Sequence, residues 1–317
     1  MPEHTPRPDA SSQGEQGEAR ARLSSNVTDT ALIFEGGGMR AAYTSAVVAE
    51  LLRTQIHCDF VTGISAGASN SSNYVSRAIE RARESFVDFA ADPQFGSWRT
   101  FVRGRGLFHA EYIYQHAGQP GAALPYDWDT FCANPARLVL GGFDARTGET
   151  RWWDRSDFPT LEDLMVRVRA SSTMPVIMPP VRLEDTVYVD GALGVDGGIP
   201  LTAAREAGFS KFLIVLTRER SYMKRPERFP GFYRRTFRRY PAVAEALTTR
   251  YRRYNATREE VFALEASGDA YVFVPETMPI GNGERDIAKL AATHELGLQQ
   301  IRRELPAIRE FLGLAAA

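Results

Sequence analysis

The chain has 317 residues, of which 44% are apolar and 24% are charged, a composition typical of a folded globular protein. Its 38 Lys and Arg residues nearly balance its 39 Asp and Glu residues, so the sequence predicts no general attraction to nucleic acid. Two cysteines cannot form a disulfide framework, no apolar run approaches the roughly 20 residues of a membrane span, and the first thirty residues lack the apolar core of a signal peptide. We therefore expect a cytoplasmic protein.

Residues 1–28 are polar and contain no aromatic side chain, so they predict a disordered tail. Beyond them, short apolar runs predict strands, and apolar residues at helical spacing predict helices. The first four elements alternate between strand and helix, which indicates a parallel sheet covered by helices. They are a strand at Ala31–Phe34, a helix at Ala41–Arg53, a strand at Phe60–Thr62 and a helix from about Ala68 to Arg83.

The later part of the chain continues the same mixture of strands and helices. The predicted strands are Leu138–Phe143, Glu149–Trp153, Val187–Val189, Phe212–Leu216 and Tyr271–Val274. The predicted helices are Leu161–Ser171, Pro200–Gly208 and Ile287–Phe311.

Residues 63–67 read GISAG and fit the G-x-S-x-G nucleophile elbow, a sharp turn between a strand and a helix that exposes a serine hydroxyl. Gly63 and Gly67 leave room for the tight backbone packing that such a turn needs. Because a strand precedes the motif and a helix follows it, Ser65 is the candidate nucleophile. The alternative is a glycine-rich loop with an incidental serine.

A second glycine run, EGGGMR at residues 35–40, also lies between a strand and a helix. Backbone N–H groups at a helix N-terminus can stabilise an oxyanion or bind a phosphate. The alternative is a purely structural turn. The candidate oxyanion-hole residues are Gly36, Gly37, Gly38, Met39 and Arg40.

A serine nucleophile needs a base, and three residues are candidates. His294 would complete a Ser–Asp–His order, but only 27 residues separate Gly38 from Ser65, fewer than that type of fold normally has between these two parts. Asp190 follows a strand and is therefore favoured, since parallel sheets build their sites at strand carboxyl ends. Asp196, which also opens an Asp-Gly pair, remains the alternative.

The glycine block, the elbow and residues Asp190, Gly191 and Ala192 together resemble the patatin-like phospholipase family, and several further segments resemble a bacterial esterase branch of it. The likeness extends over roughly residues 30–225. It implies a three-layer α/β/α fold with a mostly parallel central sheet, and a Ser65–Asp190 dyad that hydrolyses lipid carboxylic esters through an acyl-enzyme without a cofactor or metal. Two departures stand out: Ala41 replaces a usual glycine, and the stretch from Asp190 to Ile199 is longer than the family pattern.

Residues 218–258 are strongly basic, with 13 Lys or Arg against 3 Asp or Glu and interleaved aromatic residues. This composition suits peripheral contact with an anionic membrane. The alternatives are binding of nucleic acid or of an acidic protein partner, or a solvated helical surface paired with acidic parts of the same chain.

We therefore expect three regions: a disordered tail (1–28), a catalytic domain (29–217) and a basic, mainly helical extension packed on the same unit (218–317). The predicted partner is a lipid or ester substrate. An acyltransferase with the same dyad, or a non-catalytic lipid-binding protein, remains the alternative function.

Overall fold

A computed structural model describes residues 23–315 of the chain, and the first 22 residues of the predicted tail lie outside the described residues. Eight strands form one sheet. Its strands are β1 (Thr30–Phe34), β2 (Phe60–Gly63), β3 (Arg137–Asp144), β4 (Thr150–Trp153), β5 (Val181–Leu183), β6 (Thr186–Asp190), β7 (Lys211–Val215) and β8 (Ala270–Phe273).

The helices fall between these strands and after the last of them. They are α1 (Ala41–Arg53), α2 (Ala66–Val75), α3 (Ile79–Glu84), α4 (Trp98–Val102), α5 (Trp128–Ala133), α6 (Leu161–Ser171), α7 (Leu201–Glu206), α8 (Pro230–Thr236), α9 (Pro241–Ser267) and α10 (Ile287–Phe311).

Hydrogen-bonded pairs link the strands in the path β5-β6-β3-β2-β1-β7-β8, and β4 also pairs with β3. Strands β3, β2, β1, β7 and β8 are parallel, whereas β4, β5 and β6 pair antiparallel. The prediction of a mostly parallel sheet is therefore confirmed. The predicted strand at Tyr271–Val274 is β8, so the C-terminal extension contributes an edge strand to the sheet.

Alternate residues of the buried strands face opposite layers, as the twofold side-chain period of a strand requires. Leu32 and Phe34 of β1 pack in one core with α1, α2, α6 and α10. Ala31 and Ile33 pack in a second core with α7 and α9. The protein is therefore a three-layer α/β/α structure, and the helical extension supplies one long helix to each outer layer.

Two sequence predictions differ from the structure. The helix predicted over 68–83 is interrupted after Val75, where Arg77 adopts a φ of 52°, a left-handed conformation that a continuous helix cannot contain. In addition, β6 runs antiparallel to β3. The sequence pattern predicts that Asp190 ends a strand of the parallel set. In the structure, Asp190 ends a strand that runs antiparallel to its neighbour.

Candidate active site

The pairing of β3 brings Ser65 and Asp190 together. Strand β4 pairs with Leu140–Phe143 along one edge of β3, so β2 and β6 must share the other edge. Strand β2 ends there opposite Leu140, and β6 runs toward it from the opposite direction and ends with Asp190 opposite Gly142. The carboxyl ends of β2 and β6 thus meet head to head beside β3.

Ser65 occupies a sharp turn between β2 and α2, with φ 59° and ψ −127°, a conformation unusual for a residue with a side chain. Both flanking glycines are required by close packing. A Cβ on Gly63 would lie 2.2 Å from the Gly67 carbonyl oxygen, and one on Gly67 would lie 2.3 Å from the Phe34 carbonyl oxygen. The Ser65 amide donates to Ser171 Oγ at 2.9 Å, which fixes the turn against the end of α6.

The Ser65 hydroxyl donates a hydrogen bond to Asp190 Oδ2 at 2.9 Å. The other carboxylate oxygen of Asp190 accepts the Ala192 amide at 2.9 Å. Both members of the pair are 6% exposed. Burial raises the pKa of Asp190 above its ordinary value, although the Ala192 amide, the charge of Arg250 and the Ser65 hydroxyl oppose the shift. The carboxylate is therefore held in position and made more basic than an exposed one.

The two competing bases lie elsewhere. His294 is buried between α10 and α1, where its Nδ1 is 2.9 Å from Ser45 Oγ, and burial lowers its pKa to about 4. Asp196 accepts both the amide and the hydroxyl of Thr202, at 3.0 and 2.7 Å, so its carboxylate holds the start of α7.

The glycine block is anchored from two sides. Glu35 accepts the Thr217 amide at 2.5 Å and the Tyr254 hydroxyl at 2.6 Å, while Arg40 Nε donates to the Thr217 carbonyl at 3.1 Å. Gly38 has a φ of 55°, and a Cβ there would lie 2.6 Å from the Asn282 carbonyl oxygen. Glycine is therefore needed at Gly38 for both its conformation and its contact.

The hydrogen bonds of the block divide its five candidate donors. Three amides already have acceptors: Gly36 donates to Gly198, Met39 to Asn282 and Arg40 to Gly37. Within the described residues, the amides of Gly37, Gly38 and Ala66 have no protein acceptor, and all three residues line a cavity beside Ser65. The amides free to meet an oxyanion are thus those of Gly37, Gly38 and Ala66.

An apolar cavity opens on one side of Ser65. Its walls come mainly from the segment between α3 and α5, whose aromatic residues include Phe86, Phe89, Phe95 and Phe108, and from Val168 of α6. Such a lining suits a hydrocarbon chain. No sequence motif indicated that this segment lines the site.

A second, polar cavity lies on the other side and shares Gly38, Ser65, Met174 and Asn282 with the first. Four cationic side chains line this polar cavity, and only Arg40 among them was predicted from the sequence to be a site residue. They are Arg40, Arg218, Lys224 and Arg250.

The 13 basic residues of 218–258 have different surroundings. Arg218, Lys224 and Arg250 line the polar cavity, and Arg220 pairs with Glu265 at 2.7 Å. Arg253 and Arg258 donate to backbone carbonyls. The seven others are exposed: Arg225, Arg228, Arg234, Arg235, Arg238, Arg239 and Arg252.

The part of the chain that the structure describes contains no group of three or more His, Cys, Asp or Glu side chains placed to hold a metal ion. Across residues 23–315, none of the helices combines the length and apolar character needed to cross a bilayer.

Comparison with known proteins gives two family matches. A model described as patatin-like phospholipase matches residues 32–204, and one described as a domain of unknown function, DUF6363, matches residues 240–313. The uncharacterized protein YjjU of Escherichia coli K12 is 30% identical over 213 residues, which are 63% of this chain and 57% of that protein. Among solved structures, VipD from Legionella pneumophila covers 90% of this chain and 79% of its own, at 12% identity and a TM-score of 0.40.

Proposed function

Because the chain belongs to the patatin-like phospholipase family, we propose that it hydrolyses lipid carboxylic esters with Ser65 as nucleophile and Asp190 as base. The observation that carries the proposal is the 2.9 Å hydrogen bond from the Ser65 hydroxyl to Asp190, beside a cavity with an apolar lining. The chain spans 57% of its curated relative, so the proposal concerns the chemistry of this site.

The proposed reaction has two halves. Ser65 Oγ attacks the ester carbonyl carbon while its proton passes to Asp190, and Asp190 then protonates the leaving alcohol as the acyl-enzyme forms. In the second half, Asp190 takes a proton from water, the hydroxide attacks the acyl carbon, and the fatty acid leaves as Ser65 recovers its proton. Asp190 is thus base and acid in turn.

The negative oxygen of each tetrahedral intermediate would be held by the amides of Gly37, Gly38 and Ala66. These groups have no protein acceptor among the described residues, so no existing bond must break when charge develops. Removing one such donor typically costs about 3 kcal/mol of transition-state stabilisation.

We further propose that the enzyme works at the surface of an anionic membrane. The basic patch is defined here as Arg228, Phe229, Phe232, Arg234, Arg235, Arg238 and Arg239. Phe229 and Phe232 are 65% and 53% exposed, and the five arginines are exposed as well. Exposed aromatic side chains beside exposed arginines suit a bilayer headgroup region. Both cysteines are free, which agrees with a cytoplasmic location.

The proposal is tested by hydrolysis of p-nitrophenyl hexanoate. Ser65→Ala should abolish turnover, and Asp190→Asn should lower kcat by about 10² to 10⁴-fold because the serine loses its base. Asp196→Asn is the matched control, a buried carboxylate outside the site, and should retain activity. Folding of each variant is checked by circular dichroism.

Labelling and product analysis separate the alternatives. A fluorophosphonate should modify Ser65 in the native protein. It should modify Ser65 more slowly in the Asp190→Asn variant. Failure of Ser65 to react would favour a lipid-binding protein without catalysis. Transfer of the hexanoyl group to added glycerol in preference to water would favour an acyltransferase.

A further inference from the structure

Four cationic side chains converge on the polar cavity beside the dyad. Arg40 follows the glycine block, whereas Arg218, Lys224 and Arg250 come from the C-terminal extension. Among residues 23–315, the only carboxylates lining the same cavity are Glu35 and Asp190. The side chains that line the cavity therefore carry a net positive charge, although the whole chain carries a net charge of −1.

None of these four cations forms a salt bridge among the described residues. Within the described residues, no carboxylate oxygen lies within 4.0 Å of a charged nitrogen of any of the four. Both oxygens of Glu35 already accept bonds from Thr217 and Tyr254, and Asp190 is engaged with Ser65 and Ala192.

Arg40 is buried beside this cavity and is not fully hydrogen-bonded. Its side chain is 5% exposed, yet Nη1 is buried without a hydrogen-bond partner. A buried guanidinium N–H without an acceptor is costly. Burial and the nearby charge of Arg218 lower the pKa of Arg40 to about 10, and burial together with Arg250 lowers that of Lys224 to about 8. A bound anion would relieve both effects.

We propose that this cavity binds the phosphate group of the lipid ester on the alcohol side of the scissile bond, while the acyl chain occupies the apolar cavity. The inference rests on the proposed function, since the two cavities meet at Ser65. Arginine and lysine are the side chains that suit phosphate oxygens. The substrate class is therefore an acidic phosphoglyceride with an unmasked phosphate, because a headgroup with a quaternary ammonium would bring a fifth positive charge to the site.

The test compares two esters with identical acyl chains, dihexanoylglycerol 3-phosphate and dihexanoylglycerol, both below their critical micelle concentrations so that no membrane surface is involved. The wild-type kcat/KM should be higher for the phosphate ester. Lys224→Gln and Arg218→Gln should each reduce this ratio about tenfold, mainly through KM, because each removes a charge-assisted contact.

Arg225→Gln is the matched control, because Arg225 is the exposed neighbour of Lys224 and lies outside the cavity. It should leave the ratio and both rates unchanged. A ratio near one in the wild type, or the same loss in Arg225→Gln as in Lys224→Gln, would overturn the inference even where Ser65-dependent turnover stands.

Calorimetry on the Ser65→Ala protein keeps the binding question separate from catalysis. Dihexanoylglycerol 3-phosphate should bind more weakly by about tenfold when Lys224→Gln is added. Such a loss would support the inference even if no ester were hydrolysed. Inorganic phosphate should inhibit the wild type competitively against the phosphate ester. Inhibition by inorganic phosphate with no preference between the two esters would indicate a free-phosphate site and overturn the headgroup assignment.

Discussion

Ser65 is held in a backbone conformation that favours glycine, with φ 59° and ψ −127°. Such conformations cost a residue with a side chain about 1 to 3 kcal/mol, and the surrounding contacts must supply that energy. The Ser171 hydroxyl and the close approach of Gly67 to Phe34 are two of them. In this backbone conformation the Ser65 hydroxyl lies within hydrogen-bonding distance of Asp190.

This strain predicts an order of stability among inactive variants. Ser65→Gly should unfold at higher urea than Ser65→Ala, with a free energy of unfolding about 1 kcal/mol larger, because glycine removes the steric strain at some entropic cost in the unfolded chain. Urea titration followed by circular dichroism measures the difference. Equal stability of the two variants would mean that the turn is not strained.

The pH dependence of turnover follows from Asp190. Its ordinary pKa is 3.8, and burial raises it. Only the ionised carboxylate accepts the Ser65 proton, so kcat/KM for p-nitrophenyl hexanoate should rise with pH through a pKa above 3.8 and then level off. Arg250 lowers this pKa by its charge, so Arg250→Gln should move the acidic limb to higher pH.

The exposed Arg252, two residues further along α9, provides the control. Arg252→Gln should leave the acidic limb where it is in the wild type. A limb that does not move in Arg250→Gln would separate Arg250 from the titration of the base.

At the scale of elements, the extension is joined to the catalytic layers by a close contact between helices. Gly297 of α10 faces α1, and a Cβ there would lie 2.3 Å from the Tyr43 carbonyl oxygen. Because the neighbour is backbone, it cannot rotate away. The closeness of these two helices thus depends on the absence of a side chain at one position.

Gly297→Ala should therefore lower the free energy of unfolding by about 1 to 3 kcal/mol, the usual cost of overpacking. Gly231→Ala is the matched control, since nothing lies within 4 Å of a Cβ at that position of α8. It should be neutral or slightly stabilising because alanine favours a helix. Thermal unfolding of both variants checks the contrast. A destabilisation of equal size in both would argue against the contact.

At the scale of the whole molecule, positive charge is concentrated in one segment of a nearly neutral chain. Some of these charges line the cavity, some are bonded to other parts of the chain, and others are exposed at the surface, among them the basic patch. Each arginine near an anionic bilayer contributes about 1 kcal/mol of attraction, and salt weakens it. The proposed attachment to lipid and the proposed binding of the headgroup phosphate can therefore be tested separately.

Liposome cosedimentation tests the attachment. Binding should increase with anionic lipid and decrease with salt, and Arg234→Gln with Arg235→Gln should reduce it by about tenfold or more. Adding Arg238→Gln and Arg239→Gln should reduce it further. The control pair, Arg146→Gln with Arg182→Gln, removes two exposed charges elsewhere and should bind as the wild type does. Equal, salt-insensitive recovery from neutral and anionic vesicles would contradict the membrane proposal.

Much of the fold follows from local patterns in the sequence. Apolar runs and helical spacing locate β1, α1, β2, α6 and α10 almost to the residue. This is possible because the apolar pattern of each element lies within that element's own residues. The G-x-S-x-G turn is equally local. A Cβ on either of its glycines would lie 2.2 or 2.3 Å from a carbonyl oxygen a few residues away or in the adjacent strand. Family membership and the mostly parallel sheet, both predicted, are confirmed.

The partners of Ser65 depend on contacts between distant residues. Asp190 and Asp196 both open an Asp-Gly pair, and only the antiparallel course of β6 along β3 brings Asp190 to 2.9 Å from the serine hydroxyl. The cationic cavity unites Arg40 with Arg218 and Arg250, more than 170 residues further along the chain. No local periodicity encodes such meetings, because they are set by which strands pair and in which direction. The sequence by itself thus determines the elements and the candidate nucleophile, while the tertiary structure decides what surrounds it.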